Sequence, residues 1–258
     1  MMKIRLIKCE NYDPFFNMAT DYYFWQKSWD EKNLPVLRFY KWEPSSVSIG
    51  YNQIAEDLIN LHFCKKNGIP VVIRPTGGSA IFHDIEITYS ICANFSHHPL
   101  FSSPFSSYIF VCKGIIKGIE KAGIKLKIRG YSEGKEPSFT NIPCFSLSSR
   151  HDIVYNDKKI VGSAQRRNNF SFLQHGSILI DIKKDLWENI FLKEVDFSKI
   201  ACLKDVIRNF DESQLISFLK SGFEDVFESE IFEDELKKEE MDEIEKISKN
   251  LKMEGKYE

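Results

Sequence analysis

Strand-like and helix-like segments alternate along this chain without a repeating unit, and this alternation limits the fold more than any other feature of the sequence. Apolar residues recur at helical spacing from Met18 to Trp29, which predicts an amphipathic helix over residues 17–29. Because the strands and helices follow no regular strand–helix–strand rhythm, we predict an α+β fold of mixed sheets with flanking helices. The predicted strands cover residues 36–42, 46–50, 70–74, 85–94, 151–155, 158–164 and 173–182.

Terminal signals define further predicted elements. Ser103 and Pro104 are typical of a helix N-cap and a first helical residue, and Gly123 ends the apolar pattern that follows them. A shorter helix is predicted over residues 55–66. Residues 156–157 are predicted to form the tight turn of a hairpin between two of the strands.

The last third of the chain has a different character. Apolar residues mark two amphipathic helices, over residues 215–226 and 236–251, and residues 229–258 contain 11 acidic residues and six lysines. A solvated helical face explains this charge better than an acidic recognition arm. We therefore predict a main domain over residues 1–185 and a helical C-terminal extension over residues 186–258 that packs on it.

Composition argues against several classes of protein. The 35 Lys and Arg residues against 37 Asp and Glu residues give a net charge of −2, which argues against nucleic-acid binding. The longest uncharged stretch, which includes residues 89–112, is interrupted by polar residues, so we expect no membrane segment. The six cysteines form no CxxC pair and no export signal opens the chain, so we expect a cytoplasmic protein with reduced thiols.

A glycine pair follows the strand predicted over residues 70–74, within a segment that runs from Arg74 to Ala80. Gly77 and Gly78 allow the backbone to approach a ligand closely and to turn its N–H groups toward an anion or an acyl oxygen. The pattern is neither a Walker A loop nor a dinucleotide fingerprint, so nucleotide binding does not follow from the glycines. On composition alone, a plain turn is the simpler explanation.

A lysine-bearing strand is the second candidate for chemistry. Lys159 lies in a strand in which Gly162 and Ala164 leave one face without bulk, so its ammonium group can lie along an apolar trough. On composition alone, an exposed hairpin lysine is the simpler explanation.

One cysteine and two histidines complete the set. Cys144 lies in a loop rich in Pro and Ser, whereas four of the other cysteines lie in or beside apolar segments. A thiolate near a fixed ammonium group becomes a usable nucleophile. His83 and His175 could orient a ligand, but neither has metal-ligand spacing, and we expect no metal site.

Together these motifs resemble the biotin/lipoate protein ligase catalytic-domain superfamily. Its lipoate and octanoate branch carries a glycine loop matched by residues 74–84, a K-[IV]-x-G-S-A-Q strand matched by residues 159–165, and an H-G-[ST]-[IL]-L strand matched by residues 175–179. Residues 17–21 and 37–50 also resemble that branch. The five motifs are highly specific in combination, because they follow one another in the order that the family shows.

The resemblance implies a mixed sheet with flanking helices around a tunnel for an eight-carbon acyl chain, within a catalytic domain over residues 1–185. In this family the lysine at the position of Lys159 holds the acyl carbonyl. Octanoyltransferases of the LipM type carry a cysteine in an x-C-F loop before that strand, which is matched here by Cys144, so this residue is implied as the nucleophile. The residues implied in acyl or substrate binding are Arg74, Gly77, Gly78, His83, Gly162, Ala164 and His175.

The implied activity is transfer of an octanoyl group from octanoyl-acyl-carrier protein, through a cysteine thioester, to a lysine of an apo lipoyl domain. The expected acceptors are the glycine-cleavage H protein and dehydrogenase E2 subunits. No cofactor, nucleic acid or membrane is expected to take part.

Three alternatives remain open. An ATP-dependent lipoate-protein ligase would use ATP and Mg²⁺ and would hold an acyl-adenylate with Lys159 and the glycine loop, and residues 149–152 partly resemble the R-N-D motif of such ligases. An octanoyl amidotransferase would move the group from one lipoyl domain to another. A non-catalytic module would bind acyl-carrier or lipoyl domains through a degenerate site, although the chain retains both Cys144 and Lys159.

Overall fold

The computed structural model describes residues 1–8, 11–131, 151–207 and 211–254, and a large mixed sheet forms its centre. The strands are β1 (Met2–Ile7), β2 (Asn11–Tyr12), β3 (Val36–Trp42), β4 (Ser46–Ile49), β5 (Val71–Ile73), β6 (Ile81–His83), β7 (Glu86–Asn94), β8 (Lys127–Ile128), β9 (Ile153–Tyr155), β10 (Lys158–Arg167), β11 (Ser171–Leu179) and β12 (Ser229–Asp234). The strand order in the large sheet is β12-β1-β3-β7-β11-β10-β9-β8, and β2 also pairs with β3. A smaller sheet has the order β5-β4-β6.

Both sheets combine parallel and antiparallel pairs. β1 runs parallel to β12 and to β3, whereas the pairs from β3 through β7, β11, β10 and β9 to β8 are antiparallel. In the smaller sheet, β4 is parallel to β5 and antiparallel to β6. The predicted α+β fold with mixed sheets is therefore confirmed.

Helices cover both faces of the large sheet. They are α1 (Pro14–Lys27), α2 (Leu61–Lys66), α3 (Pro104–Lys121), α4 (Lys184–Ile190), α5 (Glu212–Phe227) and α6 (Lys238–Glu254). Apolar clusters join α3 and α5 to one face of the sheet and α1 and α6 to the other, and a third cluster joins the smaller sheet to α2 and α4. No helix among the described residues combines the length and the apolar character needed to span a membrane.

The first two predicted helices differ in outcome. The first is confirmed as α1, which begins where the Asp13 side chain caps its leading N–H groups. The helix predicted over residues 55–66 is divided in the structure into a 3-10 turn, Ala55–Asp57, and α2. Between them Ile59 forms a strand-like bridge with the segment that follows α4, and Asn60 then caps α2. A tertiary contact therefore interrupts the helical pattern.

α3 begins as predicted. Ser103 caps it, Pro104 occupies its first position, and Gly123, with φ of +85°, follows its end. The helix packs closely on α5 through glycines, because a Cβ atom added at Gly222 would lie 2.2 Å from the Gly118 nitrogen. This contact fixes α5 against the large sheet.

β9 and β10 form the predicted hairpin. Asn156 and Asp157 have φ values of 47° and 62°, in the left-handed region that these two residue types tolerate. β10 continues to Arg167, beyond the predicted end at residue 164, because it stays paired with β11. The hairpin brings residues before β9 next to the start of β10.

The C-terminal region, residues 186–258, is helical only in part. α5 and α6 correspond to the two predicted helices, but β12 lies between them and joins the large sheet parallel to β1. Arg5 on β1 donates hydrogen bonds of 2.6 Å to Asp234 and to Glu240, which anchors β12 and α6. β12 is short and half acidic, so no apolar alternation predicted it. The domain boundary at residue 185 stays a prediction.

Candidate active site

A cavity of about 320 Å³ is bounded by both sheets, a volume at the low end for small-ligand pockets. Its wall includes seven of the residues predicted from the sequence, namely Arg74, Gly78, His83, Lys159, Gly162, Ala164 and His175. The apolar part of the wall comes from Met18, Tyr40, Trp42, Ile81, Leu179, Trp187 and Ile200. The structure thus brings these motifs together around one cavity, and Gly77 lies in the glycine loop outside its wall.

Cys144, the predicted nucleophile, lies outside the described residues, as does Cys9. Burial raises the pKa of each of the four described thiols, which are those of Cys64, Cys92, Cys112 and Cys202. A buried thiol with a raised pKa is a poor nucleophile at neutral pH. None of these four thiols is therefore suited to thioester exchange, and for Cys64, Cys92 and Cys112 this agrees with their position in or beside apolar segments of the sequence.

Lys159 lies at an irregular point near the start of β10. The pairing of β10 with β9 shifts between Lys159 and Val161, and the Lys159 carbonyl accepts a 2.8 Å hydrogen bond from the Ala201 N–H. Its side chain lies over Gly162, because a Cβ atom added there would be 2.6 Å from Lys159 Cε and 2.8 Å from Nζ. Only glycine at position 162 leaves this space for the ammonium group.

Asp152 is the ion-pair partner of Lys159. Its Oδ1 lies 3.0 Å from Lys159 Nζ, and its side chain is 4% exposed whereas that of the lysine is 41% exposed. Arg129 Nη1 is farther away, 3.9 Å from Asp152 Oδ2. A buried carboxylate therefore holds an ammonium group that stays accessible. Sequence reasoning missed this contact, although the predicted turn at residues 156–157 places residue 152 beside the start of β10.

Arg74 holds the glycine loop in place. Its guanidinium group donates hydrogen bonds to the carbonyl of Gly77 at 2.7 Å and to that of Ser79 at 2.8 Å. Gly78 has a φ of +91°, and Gly50 approaches it so closely that a Cβ atom added at Gly50 would lie 2.3 Å from the Gly78 oxygen. The loop is thus a supported structure rather than a plain turn, and the substrate contact predicted for Arg74 stays a prediction.

His175 is fixed between a hydroxyl group and a carboxylate. Its Nε2 lies 2.6 Å from Thr76 Oγ1 and its Nδ1 lies 2.9 Å from Asp21 Oδ2. Burial lowers the pKa of His175, although Asp21 acts in the opposite direction, and the lowered pKa favours the neutral ring. Because a carboxylate can only accept, Nδ1 carries the proton and Nε2 accepts from the Thr76 hydroxyl. His175 thereby connects α1 to the glycine loop.

Asp21 on α1 is the centre of this buried network. Its carboxylate pairs with Arg38 and accepts hydrogen bonds from Ser90 Oγ at 2.7 Å and from the Tyr40 hydroxyl at 2.8 Å. Burial by itself would raise the pKa of Asp21, but Arg38, His175 and Ser90 lower it overall. Sequence reasoning included Asp21 only as part of a family motif, because local patterns do not reveal which distant charges meet.

His83 belongs to a second buried network. Its Nε2 lies 2.8 Å from Ser48 Oγ, its Nδ1 lies 2.8 Å from Glu86 Oε1, and its ring stacks on Trp42 with the centroids 3.9 Å apart. Both ring nitrogens are thus occupied within the protein. The described residues include no group of three His, Cys, Asp or Glu side chains that could hold a metal ion, and the expected absence of a metal stays a prediction.

The sequence pattern of the lipoyl protein ligase A/B catalytic domain matches residues 13–224. The chain belongs to this family. The match covers every described residue of the cavity wall, and it continues past residue 185 into α5.

Curated relatives within the lipoyl protein ligase A/B family cover most of the chain, and the following three are each named octanoyltransferase LipM. The relative from Carboxydothermus hydrogenoformans is 33% identical over 231 residues, which is 85% of each chain. The relative from Brevibacillus brevis is 37% identical over 190 residues, or 72% of this chain and 69% of the relative. The relative from Bacillus subtilis is 34% identical over 194 residues, or 73% and 69%. The predicted resemblance to this branch of the family is confirmed.

Solved structures of lipoate-protein ligases share the fold. A lipoate-protein ligase A bound with ATP aligns with a TM-score of 0.79 over 98% of this chain and 95% of that chain, at 22% identity. The bipartite lipoate protein ligase from Thermoplasma acidophilum aligns with a TM-score of 0.76 over 98% of this chain and 93% of that chain, at 21% identity. At these identities the likeness concerns the fold of the family.

Proposed function

We propose that this chain transfers an octanoyl group from octanoyl-acyl-carrier protein to a lysine of an apo lipoyl domain, with a thioester on Cys144 as the intermediate. The observation that carries the proposal is the 33% identity to an octanoyltransferase over 85% of the chain. The chain is an acyltransferase of lipoate biosynthesis and protein lipoylation, with an acyl donor and a lipoyl-domain acceptor. The donor, the cysteine and the individual acceptors are the proposed part.

The cavity wall supports an apolar acyl chain as the ligand. The ring nitrogens of His83 and His175, the Tyr40 hydroxyl and the Trp42 indole N–H are all hydrogen-bonded within the protein. A polar group placed against these side chains would lose its hydrogen bonds to water without replacing them. A hydrocarbon chain gains about 0.8 kcal/mol for each buried CH₂ group.

In the first proposed step, the Cys144 thiolate attacks the carbonyl carbon of the donor thioester. A new C–S bond forms while the bond to the carrier sulfur breaks, and the carrier leaves as a thiol after taking up the proton that Cys144 released. The Lys159 ammonium group stabilises the negative charge on the carbonyl oxygen in the transition state. Because one thioester replaces another, the enzyme has to position and activate the groups rather than supply a driving force.

In the second step, the neutral amine of the lipoyl-domain lysine attacks the octanoyl-Cys144 carbonyl. A C–N bond forms, the C–S bond breaks, and the amine proton goes to the departing thiolate of Cys144. An amide is more stable than a thioester, so this step is downhill without ATP. We therefore propose a reaction without a cofactor, and ATP with Mg²⁺ belongs only to the ligase alternative.

The alternatives differ from this proposal in the donor. A ligase requires a free acid with ATP, an amidotransferase requires an octanoylated lipoyl domain, and a binding module transfers nothing. The curated relatives favour none of the three. We further propose that the enzyme acts in the cytoplasm, where carrier proteins and apo lipoyl domains are both available to it.

The test supplies one donor at a time. The purified chain is incubated with apo lipoyl domain and either octanoyl-acyl-carrier protein, a different octanoylated lipoyl domain, or octanoate with ATP and Mg²⁺. The mass of the acceptor is then measured. We expect octanoylation from the carrier protein without nucleotide. Transfer only from the lipoyl domain would establish the amidotransferase, transfer only with ATP would establish the ligase, and no transfer would favour the binding module.

A further inference from the structure

Arg166 lies on β10 next to the cavity wall and contacts two aromatic rings. Its guanidinium carbon is 4.6 Å from the ring centroid of Trp25 and 4.7 Å from that of Tyr51. Its Nη1 donates a 2.9 Å hydrogen bond to the carbonyl of Pro75, beside the glycine loop. Within the part of the chain that the structure describes, no carboxylate forms an ion pair with it. Two ring contacts and one hydrogen bond thus hold the cation while most of its N–H donors are left for another partner.

The neighbouring Arg167 on the same strand has a structural role and serves as a comparison for Arg166. It points to the other face of the sheet, where its Nη2 donates to the carbonyls of Phe101 and Ser102 at 2.7 and 2.9 Å and its Nη1 donates to Ser107 Oγ at 2.8 Å. These bonds tie β10 to the start of α3. Arg166 makes no comparable set of bonds with the described residues, so a support role does not account for it.

A path of small residues leads from Lys159 to Arg166. Gly162, Ala164 and Arg166 lie on one face of β10, because residues two apart in a strand share a face and this segment pairs regularly with β11. Lys159 Nζ lies over Gly162, and Gly78 lies against Ala164, since a Cβ atom added at Gly78 would be 3.8 Å from that of Ala164. Four residues of extended strand, from Gly162 to Arg166, span about 13 Å.

We propose that Arg166 binds the phosphate of a phosphopantetheine arm whose octanoyl thioester lies at Lys159. This inference rests on the proposed function, and it names the part of the donor that the enzyme recognises. A guanidinium group presents paired N–H donors whose geometry matches two phosphate oxygens. The contacts with the two rings use none of its N–H donors, so these donors remain open to such a ligand.

The length of the arm fits the spacing. From the thioester sulfur to the phosphorus, roughly thirteen bonds of about 1.2 Å projected length give about 16 Å when extended, close to the distance along β10. The phosphorus of an acyl-adenylate is only two bonds from the acyl carbon, so its phosphate would lie beside Lys159 and not beside Arg166. The position of Arg166 therefore favours a phosphopantetheine thioester over an adenylate. Carrier protein and coenzyme A both carry this arm.

The test compares donors that differ only in the phosphate. Formation of the octanoyl-enzyme is followed by intact mass with octanoyl-pantetheine, octanoyl-phosphopantetheine, octanoyl-coenzyme A and octanoyl-acyl-carrier protein. Wild-type protein should show a kcat/KM roughly tenfold to a hundredfold higher with phosphopantetheine than with pantetheine. Arg166→Gln should remove this preference by raising KM for the phosphorylated donors, with no change for octanoyl-pantetheine. Lys158→Gln, an exposed charge change on the same strand, should keep the preference.

Arg166→Lys retains the charge but not the paired donors, so it should keep only part of the preference. The faster of the coenzyme A and carrier-protein donors identifies the source of the arm, and Arg166→Gln should weaken both. Equal rates of wild-type protein with pantetheine and phosphopantetheine would overturn the inference, as would an equal loss with both donors in Arg166→Gln. If no thioester acylates the wild-type protein, the proposed function itself fails, which is a separate result.

Discussion

Two charged regions beside the cavity differ in their access to solvent. Asp21 and Arg38 are at most 3% exposed, and both carboxylate oxygens of Asp21 accept hydrogen bonds from the protein. Lys159 is 41% exposed and lies 3.0 Å from the buried carboxylate of Asp152. The first region is a closed network, and the second presents a charge to whatever enters the cavity.

This difference separates a structural role from a chemical one. A buried charge cannot move toward a substrate without leaving its partner unpaired, so the network around Asp21 serves to fix α1, β3 and the glycine loop relative to one another. An accessible ammonium group loses little solvation free energy when it exchanges some of its contacts with water for a contact with an oxyanion. Substitutions in the closed network should therefore affect stability first, and substitutions around Lys159 should affect the rate first.

Asp21→Asn should have the largest effect, and it should act on stability. It leaves Arg38 buried without a counter-charge, and breaking such a pair costs about 3–5 kcal/mol. The pKa of Asp21 is lowered in the folded protein, so its charged form stabilises the fold above the unfolded pKa of about 3.9, and this contribution is lost as the pH falls through the folded value. Urea unfolding of both proteins at pH 7 and below pH 4 measures both effects. A variant as stable as the wild type would contradict the role of the network.

Lys159→Ala should have the next largest effect, on the rate. Loss of one oxyanion donor typically lowers the rate roughly 100-fold to 1,000-fold, whereas loss of a partly exposed ion pair changes the unfolding free energy by only about 1 kcal/mol. Octanoyl transfer under saturating donor and urea unfolding are measured together. Lys158→Ala, at an exposed position, serves as the control and should retain activity. Near-normal transfer by Lys159→Ala would mean that the accessible charge of Lys159 does not contribute to octanoyl transfer.

Gly162→Ala also tests whether the Lys159 ammonium group sets the rate, and its expected effect is smaller than that of Lys159→Ala. The added Cβ atom would lie 2.6 Å from Lys159 Cε, at the far end of a flexible side chain, so the fold can absorb it while the ammonium group is displaced. Misplacing the proposed catalytic ammonium group in this way should lower the rate roughly tenfold to a hundredfold with little change in stability. In the Lys159→Ala background the substitution should add almost nothing. If the rate losses of the two single variants were additive in the double variant, Gly162 would not act through Lys159.

The smallest expected effect is the contribution of His175 to the pH dependence of the unfolding free energy. Burial lowers its pKa below the ordinary value of about 6.5, so the unfolded chain takes up a proton more readily than the folded protein. The neutral ring contributes its full stabilisation when the pH is above the ordinary histidine pKa. This stabilisation is lost as the pH falls toward the pKa of His175 in the folded protein. The unfolding free energy of the wild type should drop between pH 7.5 and pH 5.5, and His175→Gln should reduce this drop. An identical drop in the variant would assign it to other groups.

The elements that were predicted correctly carry their information in adjacent residues. The Ser103 cap of α3 and the Asn156-Asp157 turn are short-range features, and both lie where the sequence predicted them. The division of the second predicted helix depends on a bridge from Ile59 to a segment far along the chain, which no local pattern contains. β12 is likewise defined by its pairing with β1 and not by its own apolar pattern.

The candidate site shows the same contrast between local sequence patterns and contacts that join distant segments. Family motifs marked Gly162 and His175, because the motif strings themselves are local, but the partners of these residues had to be found in the structure. Asp152 meets Lys159 and Asp21 meets Arg38 only after the chain has folded. Arg166 follows directly on a recognised motif, yet the two aromatic rings that it contacts come from separate segments of the chain.

The most direct test of the central claim is the location of the acyl group on the enzyme. The purified chain is incubated with octanoyl-acyl-carrier protein without nucleotide, quenched in acid, digested and analysed by peptide mass. We expect one octanoyl group on the peptide that contains Cys144, absent in Cys144→Ala and present in Cys112→Ala. An octanoyl group on another residue, or wild-type transfer by Cys144→Ala, would contradict it.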